Sequence, residues 1–285
     1  MTVALLLALK VAVGLLILAI GMDSRFTDIV YLWRRPGLLL RSLLAMYVLV
    51  PLVAVVLVMS LDLSPGAEIA LLILAVSAGA PLLPRKLMFL GREPYIISFV
   101  VLSSLLAIVI VPAWLALLGP MFGVQRVLES TDVVLVLAKA FFLPLLAGML
   151  FRWLFPQLAE HLAAWLLGVV GSLFMICVLL LLALQWTLLL EAGWPFMLTL
   201  VAMALLALGI GHALGGPHPD GRTALAVACA TRHVGVAVLV AAALPGPRTA
   251  VLVAAYVVTS AVITIPYLSW QRRRNPVSRD LSSIS

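Results

Sequence analysis

Acidic side chains are scarce in this sequence. There are 11 Asp and Glu against 18 Lys and Arg among 285 residues, and only 10% of all residues are charged. Every acid lies near an end of an apolar run, none deep inside one. A soluble domain of this length needs a far more polar surface, so that class is excluded. Cysteine is almost missing as well. Cys177 and Cys229 fall inside apolar runs without metal-site spacing, which excludes a disulfide framework or a zinc centre and leaves them as packing residues. No His-Glu-x-x-His, Gly-x-Ser-x-Gly or Gly-x-x-x-x-Gly-Lys string occurs, and no mid-span aspartate pair marks an intramembrane protease. The sequence therefore gives no sign of an enzyme, a nucleotide-driven pump or a bound cofactor.

What the chain has is hydrocarbon. It is 65% hydrophobic with a mean hydropathy of +1.26. Apolar runs at about 3–22, 37–60, 67–90, 95–119, 131–154, 160–187, 194–214, 221–244 and 249–270 predict about nine membrane spans, each near the roughly 20 residues a bilayer requires. Connections are short, so residues 1–270 read as one polytopic, all-α membrane domain and 271–285 as a cytoplasmic tail. Residues 1–22 lack a basic leader and a small-x-small cleavage site, and are expected to stay as the first span.

Basic residues set the orientation. Arg25, Arg34, Arg35, Arg85, Lys86, Arg92, Arg152, Arg222 and Arg272–Arg274 fall on one side, and the opposite loops carry mainly acids. The positive-inside rule then places the N-terminus outside and the C-terminus in the cytoplasm, in the cytoplasmic (inner) membrane, which an odd span count satisfies. The excess of base is orientation charge, not a nucleic-acid surface. Lys10, Lys139 and Arg41 read as snorkelling or interfacial anchors. Gly211-x-x-x-Gly215 reads as a small-residue packing face.

Two runs are interrupted. The third contains Gly79, Pro81 and Pro84, followed by Arg85 and Lys86; the eighth contains Thr231, Arg232, His233 and Gly235. They lie five spans apart, so equivalent segments run in opposite directions, as in inverted repeats with broken helices around a solute site. An arginine at mid-bilayer costs roughly 2.5–3.5 kcal/mol on insertion scales. With no carboxylate in its run, Arg232 is expected either to face an anionic solute or to satisfy helix-end carbonyls. His233 is expected either to carry a proton or to hydrogen-bond a helix end.

The chain resembles the bile acid:sodium symporter family and its wider bile/arsenite/riboflavin transporter superfamily. The resemblance rests on Ile20-Gly21-Met22 with Arg35-Pro36, Val50-Pro51, Leu63-Ser64-Pro65 through Glu68-Ile69-Ala70 to Ser77-Ala78-Gly79-Ala80-Pro81, Pro112, Lys139 with Leu143-Pro144, and Ala230-Thr231-Arg232-His233-x-Gly235-x-Ala237. It implies a panel domain and a core domain, with the core over about 67–119 and 221–270 and two discontinuous helices crossing within it. It also implies alternating-access transport of organic anions. Sodium-coupled relatives carry a Glu and a Gln at the second crossing, which the Gly-x-Ala register places at Ala228 and Arg232. Their first crossing uses Ser, Thr and Asn, and residues 79–90 contain none of these.

The expected solute-binding residues are Arg232, His233, Thr231, Arg85 and Ser98, with Gly79, Pro81, Pro84 and Gly235 shaping the crossing backbone. The expected partners are a small organic anion and the lipid bilayer, without nucleic acid. No metal site is expected, and the role of sodium stays open. Carriage without the usual sodium sites, ordinary sodium symport and a non-transporting membrane sensor are the three readings.

Overall fold

The computed structural model describes residues 2–24, 31–77, 94–122, 130–241 and 247–274. They form helices throughout: α1 (Thr2–Asp23), α2 (Pro36–Leu44), a π-helical turn (Ala45–Leu49), α3 (Val50–Ser60), α4 (Pro65–Val76), α5 (Pro94–Phe122), α6 (Ser130–Leu154), α7 (Pro156–Leu184), α8 (Trp186–Leu214), α9 (Pro219–Thr231), α10 (Val234–Ala241) and α11 (Arg248–Arg274). In hydrocarbon every backbone polar group needs an internal partner, which a helix supplies along its own length.

Proline starts and bends these helices. It stands in the first turn of α2, α4, α7 and α9, where its missing N–H is not needed. Inside a helix it disturbs the carbonyl four residues earlier. Pro112 accordingly accompanies a 46° bend in α5 between Ser98–Ala107 and Val109–Leu118, centred on position 108.

Five helical stretches among the described residues are long and apolar enough to cross a bilayer: Ala4–Asp23, Pro36–Ser60, Pro156–Leu184, Trp186–Leu214 and Arg248–Arg274. The bent pair in α5 makes a sixth. Gly193, with φ of 76° and ψ of 169°, breaks α8 into a short piece from Trp186 and a longer one that starts at 194, where the run expected at 194–214 begins. The eighth expected run is split into α9 and α10, and α4 ends at Val76, part-way along the third.

Packing sorts the helices into two groups. In one, α1 lies against α6 and α7. A Cβ added at Gly21 would meet the Leu145 carbonyl, and one at Gly148 would meet the Leu18 carbonyl and the Met22 nitrogen, so α1 and α6 touch backbone to backbone. In the other, α8 packs on α9 and α11, while α4 packs on α3, α10 and α11. Gly211 and Gly215 of the predicted packing face lie against the backbone of α9 at Leu225–Ala226 and Arg222. The groups meet through α5 on α6, α11 on α7 and α1 on α10.

Candidate functional site

The site forms where α4 stops and where α9 gives way to α10. Helix α9 ends at Thr231, and Arg232 adopts φ 51° and ψ 173°, the one positive φ outside glycine among the described residues. Such a conformation costs of order 1–3 kcal/mol and persists when its surroundings impose it. Three contacts do so here. The Tyr256 hydroxyl donates to the Ala230 carbonyl at 2.7 Å, the Thr231 hydroxyl donates to the Val227 carbonyl at 2.8 Å, and the His233 N–H donates across to the Ser77 carbonyl at 2.8 Å. The last bond joins the end of α4 directly to the break between α9 and α10.

His233 is the N-cap of α10. Its carbonyl accepts the Ala237 N–H at 3.1 Å, and its Nδ1 accepts the Val236 N–H at 3.2 Å. An imidazole nitrogen that accepts carries no proton, so the ring proton sits on Nε2. Of the two roles expected for His233, the geometry supplies the helix-end one.

The Arg232 side chain is 1% exposed and reaches two other helices. Its Nε donates to the Leu74 carbonyl at 3.2 Å, in the last turn of α4, and its Nη1 donates to the Met46 carbonyl at 3.0 Å, in the π-helical turn. Both acceptors have a reason to be there. The C-terminal end of α4 is the negative end of its dipole and favours a cation. Met46 is orphaned by Val50-Pro51: the Val50 N–H goes to the Ala45 carbonyl, and Pro51 has no N–H to give. Pro51 frees the Tyr47 carbonyl in the same way, and Trp114 Nε1 takes that one at 2.9 Å.

Nη2 of Arg232 has no hydrogen-bond partner among the described residues. No carboxylate among them pairs with the guanidinium; its electrostatic neighbours are Cys229, Tyr256 and Tyr47. The Ser77 hydroxyl, also buried, lacks a hydrogen-bond partner as well. In the sequence Ser77 stands out only as the start of Ser77-Ala78-Gly79-Ala80-Pro81. Its position at the end of α4, one turn past Leu74, is what brings it to the site.

The other expected residues divide. Thr231 is buried and its proton is committed to its own helix. Ser98 is buried in α5, where its Oγ accepts the Leu32 N–H at 3.2 Å and so ties residues 31–34 to that helix. Gly235 lies in the first turn of α10, where a Cβ would run into Val13 of α1. Gly79, Pro81, Pro84 and Arg85 fall outside the described residues. Lys10, Lys139 and Arg41 are exposed side chains, away from any buried site.

This arrangement defines a class: a multi-pass helical membrane protein in which a broken helix meets the end of another around a buried cation. The model of the Sodium Bile acid symporter family matches residues 10–192, more than half of the chain. The chain belongs to that family and is a transporter of its type. The matched stretch contains α4 and the Pro51 turn and stops before Arg232. No curated protein matches the chain.

Proposed function

We propose that the protein is a secondary carrier of small or medium organic anions in which Arg232 permanently takes the place of the family's sodium ion. It works by alternating access across the cytoplasmic (inner) membrane, over nine spans, with the N-terminus outside and the C-terminus inside. The group of α1, α6 and α7 acts as the panel, and the group containing α4, α9 and α10 acts as the core. The observation that carries this reading is the double attachment of the guanidinium to the Leu74 and Met46 carbonyls, with no carboxylate of the described residues paired with it. Backbone carbonyls are oxygen ligands of the kind a hard cation takes.

A cation tethered by its own side chain stays when solute leaves, so solute movement carries no sodium with it. The remaining nitrogen, Nη2, donates to a carboxylate, sulfonate or similar group on the solute, with the Ser77 hydroxyl as a nearby second donor. His233 holds the start of α10 in place and carries no coupled proton.

The test begins with a thermal-shift screen of organic anions in sodium and then in potassium, to find a ligand. Uptake of that ligand into proteoliposomes is then measured with and without a sodium gradient. The expected result is stabilisation and counterflow that are the same in both salts. Accumulation raised several-fold by a sodium gradient would replace this reading with ordinary symport. Binding without counterflow would make the protein a sensor.

A further inference from the structure

The net charge of the site has consequences beyond its hydrogen bonds. A guanidinium is not deprotonated inside a protein, so Arg232 brings one full positive charge to a position that is almost completely buried. Among the described residues, the groups around it bring none. Tyr256 donates its hydroxyl proton to the Ala230 carbonyl and Tyr47 donates its own to the Ser103 carbonyl at 2.6 Å, so both phenols are neutral. Cys229 is a buried free thiol. His233 accepts at Nδ1, which makes it a neutral imidazole. Leu74 and Met46 offer carbonyl dipoles, which orient the guanidinium without cancelling its charge. The described part of the empty site therefore holds one net positive charge, from Arg232 alone.

That charge selects among anions. A solute with one negative charge brings the site to zero. A solute with two leaves one negative charge buried without a partner, which is strongly disfavoured. The open donors have the same small count. Nη2 of Arg232 and the Ser77 hydroxyl suffice for one carboxylate or sulfonate head.

We propose that the protein is an electrogenic exporter of singly charged organic anions, which rests on the reading of Arg232 as a tethered cation. The side chain is covalently part of the carrier and returns with it when the site is empty. Each cycle then transfers only the solute's own negative charge. A cell interior is held negative, and for one elementary charge the potential is worth about fifty-fold in distribution per 100 mV. The potential therefore pushes the solute outward, and no sodium ion travels with it to pull it in. The same field draws the tethered cation toward the negative side. The empty site accordingly rests open to the cytoplasm, where it meets an internal anion.

Matched sulfonates serve as probes, because they stay ionised and do not cross lipid as neutral acids: benzenesulfonate with one charge and benzene-1,3-disulfonate with two. The full-length protein in detergent is titrated with each while its unfolding temperature is followed. Benzenesulfonate is expected to half-saturate at a concentration at least about ten-fold lower than the disulfonate. Proteoliposomes then receive labelled benzenesulfonate at equal concentration on both sides, without sodium, and valinomycin with a ten-fold potassium gradient sets the potential. Potassium high outside makes the interior positive, and the solute is expected to accumulate inside towards about ten-fold. Potassium high inside is expected to empty the vesicles towards the inverse ratio.

Equal or stronger stabilisation by the disulfonate overturns the proposal, as does stabilisation by neither probe. A distribution indifferent to the potassium gradient overturns it too. If that distribution then follows an added sodium gradient, the tethered-cation reading fails as well. If it ignores sodium, that reading stands and only the charge count and the direction of transport fail.

Discussion

Arg232 Nη1 donates to the Met46 carbonyl, one of two that the Val50-Pro51 pair leaves without a helical donor; the distance is 3.0 Å. Residues 186 positions apart in sequence are thus matched as donor and vacancy. The proline creates the need, and the arginine meets it from a backbone held at positive φ. The second attachment, to Leu74, puts the guanidinium at the negative end of α4. A buried arginine that no acid among the described residues neutralises is therefore tolerated because two helix breaks are aimed at it.

Removing the guanidinium leaves both carbonyls buried without donors, each costing about 1–3 kcal/mol. Arg232→Ala is expected to lower the unfolding temperature and to abolish stabilisation by organic anions. Arg232→Lys keeps the charge but lacks the fork that spans two acceptors; its stability should fall between alanine and the parent. The double variant Ala228→Glu/Arg232→Gln supplies the two side chains that the resemblance associates with sodium. It should gain sodium-dependent thermal stabilisation that the parent lacks. A double variant indifferent to sodium counts against the tethered-cation reading.

His233 separates capping from proton transfer. Replacing an N-cap residue by alanine costs roughly 0.5–2 kcal/mol, and asparagine is a good N-cap. His233→Ala should therefore lose about 1 kcal/mol of stability by chemical denaturation, and His233→Asn should recover most of it while keeping transport. A proton-carrying histidine behaves differently: asparagine in its place would abolish uptake driven by a pH gradient. Counterflow and gradient-driven uptake by His233→Asn, measured side by side, decide between them.

How much of the fold and the site is legible in the sequence depends on the kind of signal. The helices, the small-residue face at Gly211 and Gly215, and the break at Arg232–His233 follow from hydrophobic runs and from residues that interrupt them. Such signals are local. The partners of Arg232 are not local: nothing in residues 228–238 points to Met46. Pro51 is visible in the sequence, yet the carbonyl it frees matters only once the fold brings another chain segment to it. Ser77 was overlooked for a related reason, since a serine at the end of an apolar run looks like a cap until its neighbour across the crossing is known. For Ser98 and Thr231 the sequence carries no sign of which way a hydroxyl in an apolar helix points its bond. The structure shows a bond to a backbone group at each.

The α1–α6 contact offers a stability test independent of transport. Any side chain at Gly148 has to displace the backbone of α1 at Leu18 and Met22, which cannot yield as a flexible side chain does. Overpacking of this kind typically costs about 1–3 kcal/mol. Gly148→Ala should lower the unfolding temperature clearly, while Gly168→Ala, with nothing within 4 Å of the added methyl, should change it little. Equal behaviour of the two variants would contradict the close approach of α1 and α6.

Val13 and Gly235 mark where α1 rests on the first turn of α10, beside His233. This contact joins the three-helix group to the broken helix, so relative movement of the groups has to open or slide it. A methyl group at Gly235 meets both Cγ atoms of Val13, and valine has little rotamer freedom with which to withdraw. Gly235→Ala is therefore expected to slow counterflow about ten-fold or more, with anion affinity changed less than the rate. Val13→Ala alone removes bulk and should leave the rate near that of the parent. Combined with Gly235→Ala it should restore most of the lost activity, because the added methyl then occupies the space the valine vacated. Such a rescue is a non-additive coupling between two contacting residues, which a double-mutant cycle measures directly. Strictly additive losses would show that Gly235 acts through the backbone of α10 alone, and the contact with α1 would then have no part in the transport cycle.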